Sequence, residues 1–398
     1  MEINNNGINL LINASSPRFM LRMLQILLMC MTLQFPLIGS CNTGGWLTHL
    51  FESKGNPMQD VATQVAELPE DNYIYGLNFS PDGKYLAASS VTSRTIHIWD
   101  WRVDRIVHSV EKADGANEGL STEPIRYSPD GKLLAICHEK AANNIVVRIW
   151  NANTWEIVHD IEDPDRGMGC NAVGFSPDGE SLIRIVDRIG FPGDNLIVYD
   201  TSTWQAVWGL RTKDFQSNSL AISPDGKFVA LGGGHFVIKG NEFDENNLYN
   251  AGIVIVSMAQ HTIIRTIDAF SNVIGDGLVQ MSRLAWQPNG TQIAAGVSGI
   301  PFKGGDGIRI FDAESGEQVA NEPVPIITGI RGLRYTPDGK YLIEAGVGGK
   351  TVSIWDGQHH ALLQTIPLDM KAMNIAVSAD GHYFAVAGYR DIQVWQLK

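Results

Sequence analysis

Alternating apolar and polar positions recur along most of the chain in runs of strand length. The runs at residues 74–79 and 85–88 flank the tetrapeptide Ser-Pro-Asp-Gly at 80–83. Proline presets φ at the first corner of a tight turn, the aspartate side chain bonds the local backbone, and glycine accepts positive φ. Such a tetrapeptide between two alternating runs therefore predicts a turn that joins two antiparallel strands.

This turn signal occurs seven times, which is the signature of a repeat protein. The seven copies or close variants are spaced 42 to 49 residues apart, except for 64 between the fourth and fifth, and begin at residues 80, 128, 176, 223, 287, 336 and 378. A third apolar run and then a fourth follow the turn in most units. Four strands in each of seven units predict an all-β fold, a seven-bladed β-propeller of four-stranded antiparallel blades.

Several third runs end in Trp-Asp, as at residues 99–100 and 355–356. Together with the repeated turns, these pairs resemble the WD-repeat family over residues 60–398, which implies a propeller. The chain departs from the family pattern, because the opening Gly-His pair is missing and Ser93 and Gly349 replace an expected aspartate. We therefore expect that the usual hydrogen-bonded tetrad does not form and that apolar packing holds the blades. Representative packing residues are Ile98, Trp99, Ile354 and Trp355.

The seventh unit reaches Lys398 directly after its third strand, so its outer strand must come from elsewhere. The run DVATQVAEL at residues 60–68 precedes the first unit and has no partner there. We expect this N-terminal strand to pair with the last blade, to close the ring and to clasp the two ends of the body together.

Residues 20–41, MLRMLQILLMCMTLQFPLIGSC, have the anatomy of a secretory signal: a basic start, an apolar stretch and small residues before a cysteine. The last four residues resemble the lipobox of bacterial lipoproteins, in which the cysteine receives a diacylglycerol and becomes the first residue. We expect a signal region at 1–40, with Met20 as the true start. Lipidated Cys41 and a flexible tether at 41–59 then precede the propeller at 60–398.

Two alternatives remain for this segment. Residues 21–38 are near the lower limit of about 17 to 25 residues for a spanning helix, although Pro36 weakens that prediction. An ordinary cleavable signal is the other alternative. All three interpretations place the body outside the cytoplasm, and the favoured one places it on the extracytoplasmic side of a bacterial membrane, in the cell envelope.

Composition and cysteine content restrict the partners and the redox state. The net charge of −13 gives an acidic surface without the basic stripe that phosphates require, so we expect no nucleic acid partner. Two of the four cysteines, Cys30 and Cys41, lie in the N-terminal segment. For Cys137 and Cys170 two buried free thiols are favoured, with a disulfide as the alternative in an oxidising envelope.

Insertions in the sequence are expected on the face opposite the Ser-Pro-Asp-Gly turns, which we call the loop face. Binding residues are concentrated in loops on a rigid scaffold. We expect a protein partner there. The candidate contacts are Phe191, His235, Phe236, Lys239, Glu242, Phe243, Asp244, Glu245, Tyr249, Phe302 and Lys303. The alternatives are a loop that only covers apolar surface, and a calcium site at the Asp-Glu-Asn-Asn cluster of 244–247, which lacks the full calcium-binding spacing.

The innermost strands begin with polar residues at the mouth of the central channel: Asn171, Asn218, Arg283, Arg331 and Asn374. They contain no obvious acid–base pair, and no complete P-loop, nucleophile elbow or zinc spacing occurs. We therefore predict a monomeric, non-catalytic protein-interaction scaffold without metal or cofactor. A propeller enzyme of hydrolase or lactonase type, and a binder of a small ligand or glycan, remain alternatives because the fold hosts all three.

Overall fold

The computed structural model describes residues 60–398 except for 91–94, 112–123, 142–143, 163–169, 187–192, 213–214, 236–249, 270–279, 299–306, 323–328 and 347–349. Throughout the described part every regular element is a β-strand, as the alternating pattern predicted. No helix within it is long and apolar enough to cross a membrane. The predicted signal region, the alternative span at 21–38 and the tether lie outside the described residues.

The strands follow the seven predicted units in order. The first three units contain β1 (Ala62–Phe79), β2 (Tyr85–Ser90), β3 (Thr95–Asp100), β4 (Arg105–Glu111), β5 (Ile125–Tyr127), β6 (Leu133–Ala141), β7 (Asn144–Asn151), β8 (Ile157–Ile161), β9 (Cys170–Phe175), β10 (Ser181–Val186), β11 (Leu196–Asp200) and β12 (Ala206–Leu210). The fourth and fifth contain β13 (Phe215–Ile222), β14 (Phe228–His235), β15 (Asn250–Ser257), β16 (Thr262–Ile267), β17 (Gln280–Trp286), β18 (Gln292–Ser298), β19 (Ile308–Asp312) and β20 (Gln318–Glu322). The last two contain β21 (Ile330–Tyr335), β22 (Tyr341–Gly346), β23 (Thr351–Asp356), β24 (Leu362–Pro367), β25 (Asn374–Val377), β26 (Tyr383–Ala387) and β27 (Tyr389–Leu397).

The second to sixth units each form one four-stranded antiparallel sheet. The first and last units share a seven-stranded sheet in the order β25-β26-β27-β1-β2-β3-β4. Four-stranded antiparallel sheets in sequence are the arrangement of propeller blades, so the predicted fold class is confirmed at this level.

The shared strand β1 pairs with a strand of the first unit and with a strand of the last unit. Its second half, from Ile74 to Phe79, pairs with β2 of the first unit. Its first half pairs with β27, from Ala62 opposite Leu397 to Pro69 opposite Asp391. The amide of Lys398 donates to Val61 O at 2.9 Å, which extends this pairing to the end of the chain. The segment expected to pair with the last unit is therefore found there.

The turns have the chemistry that their sequence predicted. In six of them the Ser or Thr hydroxyl donates to the Asp carboxylate at 2.5 to 2.7 Å. The turn glycines have φ between 68° and 80°. The hydroxyl bonds lower the pKa of Asp130 and of Asp225 to about 2, so these carboxylates stay ionised at neutral pH and fix the corner.

Apolar side chains pack in layers between neighbouring sheets. One layer joins Ile98 of the first unit to Leu134 of the second. Another joins Leu77 and Trp99 of the first unit to Val394 of the last. The four representative packing residues are at most 4% exposed, and a fully buried side chain of this size contributes about 1.5–3 kcal/mol. Burial between sheets therefore connects the units.

The prediction of two free thiols was wrong. The sulfur atoms of Cys137 and Cys170 are bonded. Cys137 in the middle of β6 and Cys170 at the start of β9 lie side by side, so their Cα atoms are 5.8 Å apart, within the span of a disulfide. This bond ties the second unit to the third.

Candidate functional site

The residues predicted at the channel mouth lie where the innermost strands begin, and the backbone is irregular there. Pairing in β9, β13 and β21 skips one residue at this point, and the residues skipped are Asn171, Asn218 and Arg331. The same irregularity passes over Tyr75 in β1 and Ser282 in β17. A bulge of this kind bends the strand and re-aims the side chain. The structure thus repeats one bulge at one end of five innermost strands.

Two of the predicted asparagines contact the next unit rather than open space. Asn171 Nδ2 donates to Ser217 O at 2.8 Å, and Asn374 Nδ2 donates to Tyr75 O. An innermost strand has an open edge whose backbone groups need partners. These amides supply such partners across the gap between units, so both residues act as connectors.

Sequence reasoning missed two further connectors. The amide of Tyr127 donates to Asn78 Oδ1 at 2.8 Å, and the amide of Leu284 donates to Ser219 Oγ at 2.9 Å. Asn78 is partly buried and Ser219 is fully buried, and both lie on innermost strands. Ser219 follows Gln216, Ser217 and Asn218, so nothing in the local sequence distinguishes it as a connector.

The other mouth residues differ in accessibility. Arg283 is 1% exposed and lies inside the packed wall, whereas Asn218 and Arg331 are partly exposed. The structure therefore brings the five predicted residues to the same end of the innermost strands but does not turn them all toward one opening.

The predicted loop face is described only at its margin. His235 is the last residue of β14, and its backbone pairs with Phe215 and Asn250. The other ten candidates lie outside the described residues: Phe191, Phe236, Lys239, Glu242, Phe243, Asp244, Glu245, Tyr249, Phe302 and Lys303.

A buried polar cluster braces the first unit. Trp99 Nε1 donates to Glu70 Oε1 at 2.8 Å, and His97 Nδ1 lies 2.9 Å from Glu70 Oε2. The Glu70 side chain is 2% exposed. The sequence predicted that the usual hydrogen-bonded tetrad does not form. In this unit the Glu70 carboxylate provides the polar bracing instead. It fixes the middle of β1 onto β3.

The sixth unit contains a buried carboxyl instead. Glu344 in β22 lies opposite Leu333 and Ser353 and is 2% exposed. Burial raises the pKa of Glu344 to about 8, and the Ser353 hydroxyl opposes this rise. The nearby Trp355 Nε1 has no hydrogen-bond partner among the residues that the structure describes.

The adjacent His359 and His360 lie at the turn that follows β23 of the sixth unit. His359 Nδ1 lies 3.1 Å from Asp356 Oδ1, whose carboxylate also accepts the His359 amide. Over the described ranges, no group of three or more His, Cys, Asp or Glu side chains is arranged to hold a metal ion.

Comparison with known proteins agrees with this repeat architecture. The family model "WD domain, G-beta repeat" matches residues 62–100 and 324–356. These segments hold the Trp99 and Trp355 units. The matches support a WD-repeat family.

Two curated relatives come from Arabidopsis thaliana. SEC12-like protein 2 is 23% identical and SEC12-like protein 1 is 26% identical, each over 197 residues. These alignments cover 48% of this chain and 46% of each relative. The chain thus spans about half the length of the curated relatives it matches.

Proposed function

We propose that the body is a closed, seven-bladed WD-repeat-like propeller and acts as a monomeric, non-catalytic scaffold for a protein partner. Closure is supported by β1, which pairs with both β2 and β27. It is also supported by contacts between successive innermost strands, including β25 with β1. Seven units with a shared first strand then make a ring without a free end.

The scaffold proposal is supported mainly by the structural contacts that the polar side chains at the channel mouth make. Asn171 and Asn374 are bonded to the backbone of the next unit, and Arg283 is buried in the wall. Side chains that hold the scaffold together are poorly placed to carry acid–base chemistry. Sequence insertions on the loop face supply the variable surface that a partner needs.

The partner surface is tested by substitution in the fourth-unit loop. Phe243→Ala with Tyr249→Ala should remove a protein that the wild-type chain captures from an envelope extract. Val319→Ala is the control, because Val319 is an exposed apolar residue on β20 of the fifth unit and is not part of that loop. A captured set that is identical for all three proteins would reject the loop as the contact site.

We further propose that the protein is held at the extracytoplasmic side of a membrane by a lipid on Cys41. Residues 41–59 would be the tether, and it would join the body next to Val61, where the two ends pair. The Cys137–Cys170 bond supports an oxidising compartment, where disulfides persist. At about 0.8 kcal/mol per buried methylene, two or more acyl chains hold such a protein firmly.

Metabolic labelling with a radioactive fatty acid tests the anchor. Cys41→Ser should abolish labelling and release the protein from the membrane fraction. Cys30→Ser is the control and should keep both. Labelling that survives in the Cys41→Ser protein would reject lipidation at that residue.

A further inference from the structure

Three acidic side chains meet at the pairing of residues 62–69 with β27, which we call the clasp. Glu67 lies on this half of β1, directly opposite Gln393 of β27. Asp391 is two residues before Gln393, so its side chain is on the same face of the paired strands. The Gln393 side chain also donates to Asp369 Oδ1 at 3.1 Å, and Asp369 belongs to the connection between β24 and β25. Two strands and one connection thus bring three carboxylates to one seam.

The Asp391 carboxylate is poorly satisfied in its charged form. Its Oδ1 is buried and has no hydrogen-bond partner among the residues that the structure describes. The residue opposite it on β1 is Pro69, which has no N–H to donate. Burial, followed by the like charges of Asp369 and Glu67, raises the pKa of Asp391 to about 6. A protonated Asp391 can instead donate a hydrogen bond to a neighbouring carboxylate.

The other charged groups near the seam contact other atoms. Lys350 Nζ donates to the backbone carbonyl of Asp369 at 3.1 Å. The Arg390 guanidinium lies 4.9 Å from the centre of the neighbouring tyrosine ring, and Lys371 on the connection is exposed. Glu70 of β1 is bonded to the imidazole and the indole of the first unit. Among the described residues, the charges that act on Asp391 are therefore both negative.

The seam lies at the end of the regular part of the clasp. Pairing of β1 with β27 is interrupted after Pro69 and resumes only at Tyr73, so Asp391 is at the last regular position. Like charges that face each other across a strand pair are destabilising. Repulsion between Asp391 and Glu67 therefore acts directly on the pairing of the two strands.

We propose that the clasp is an acid-stabilised device: protonation of Asp391 strengthens the pairing of residues 62–69 with β27, and its ionisation beside Glu67 and Asp369 weakens that pairing. Opening of the clasp exposes the edge of β27, and an exposed strand edge is a template for pairing with another strand. This device goes beyond the scaffold function and depends on neither a protein partner nor a lipid.

The pH range of the effect follows from the two states of the Asp391 carboxyl. Its pKa is about 6 in the paired state against 3.8 for an ordinary aspartate. The paired state therefore holds a proton that the open state has lost. Its contribution to the clasp is complete below pH 3.8 and is lost as pH rises through 6.

Hydrogen exchange of the full chain in detergent, followed by mass spectrometry at pH 5 and at pH 7.5, tests the device. Division by the intrinsic exchange rate at each pH gives a protection factor for residues 62–69. We expect this factor to fall severalfold from pH 5 to pH 7.5, and at most about tenfold because Asp391 is only partly buried. A protection factor that is the same at both pH values would overturn the proposal.

A substitution assigns the fall to Asp391. Asp391→Asn keeps the size of the side chain without a charge and should remove most of the fall. Asp194→Asn, at an exposed aspartate of the third unit, is the matched control and should behave as the wild type does. Glu344 is present in all three proteins, so its own titration does not affect the comparison. A fall that persists in a folded Asp391→Asn protein would contradict the proposal.

Two further variants keep the test decisive if Asp391→Asn does not fold. Glu67→Gln and Asp369→Asn change exposed side chains, so neither alters a buried position. Each removes a negative charge that raises the pKa of Asp391, so each should move the midpoint of the fall to lower pH. Circular dichroism verifies that each variant is folded. A midpoint that is unchanged in both folded variants would show that the three acids do not act together, and the proposal fails.

Discussion

The first and sixth units match the same family model, yet they are braced differently inside. Their tryptophans are equally buried, since Trp99 is 4% and Trp355 is 3% exposed. In the first unit the indole N–H donates to Glu70, whereas in the sixth it has no partner among the described residues. The two units share their apolar packing and differ in their polar bracing. Apolar packing around the tryptophan is thus common to both units. The hydrogen bonding of the indole N–H differs between them.

The first unit contains the strand that joins the two ends of the body, whereas the sixth unit contacts those ends through Gln364 Oε1, which accepts from the Val61 amide at 2.8 Å. Glu70 lies in β1 between the half that pairs with β27 and the half that pairs with β2. Its bonds to His97 and Trp99 fix that crossing point to β3. The sixth unit lies between the fifth sheet and the shared seven-stranded sheet, and Glu344 Oε2 has no hydrogen-bond partner among the described residues.

Truncation should give the largest effect. Removing residues through Leu68 deletes the half of β1 that pairs with β27 and exposes the edge of the last sheet, so we expect a large fall of the melting temperature. Removing residues only through Met58 should leave the melting temperature unchanged. Thermal melting of the two proteins measures the difference, and equal melting temperatures would show that the paired ends do not stabilise the body.

Glu344 should make the free energy of unfolding depend on pH. Its pKa is about 8 in the folded chain against 4.5 for an ordinary glutamate. The folded state therefore holds a proton that the unfolded state has lost between pH 4.5 and 8, so the stability conferred by that proton is complete below pH 4.5 and lost as pH rises to 8. Glu344→Gln should remove this decline and stabilise the protein at pH 9 by several kcal/mol, on the order of 1.4 kcal/mol per pKa unit.

Urea unfolding at pH 5 and pH 9 measures this effect. Glu317→Gln is the control because Glu317 is exposed on the fifth unit. A Glu344→Gln protein with the same decline as the wild type would show that Glu344 is not buried as a neutral acid.

The two tryptophans should respond differently to the loss of their N–H group. Trp99→Phe removes a bond to a buried carboxylate, so we expect a loss of about 1.5–3 kcal/mol beyond the packing change. Trp355→Phe removes a donor without a described partner and should cost only the packing difference. Urea unfolding of the two variants gives the comparison, and equal losses would remove the distinction between the units.

The sequence predicted much of the fold because turn chemistry and strand alternation are local signals. The Ser-Pro-Asp-Gly turns, the buried Ile98 and Ile354, and the pairing of residues 60–68 with the last unit all follow from such patterns. The bond between Cys137 and Cys170 was missed because it depends on two units meeting at one point. Cysteines 33 residues apart carry no local sign of that meeting.

The candidate site was less predictable for the same reason. Asn171 and Asn374 were identified as polar residues at the correct strand ends, but their partners belong to the next unit and cannot be seen within one repeat. The brace at Glu70 was missed because its partners His97 and Trp99 lie 27 and 29 residues further along the chain.

Hydrogen exchange of the intact chain, followed by mass spectrometry, tests the central claim that an N-terminal strand closes the ring. We expect amides in residues 62–69 to exchange as slowly as those in residues 389–397, with which they pair. Both segments should lose protection together when the protein is gradually destabilised by urea. Rapid exchange at 62–69 while the remaining sheets stay protected would contradict closure by this strand.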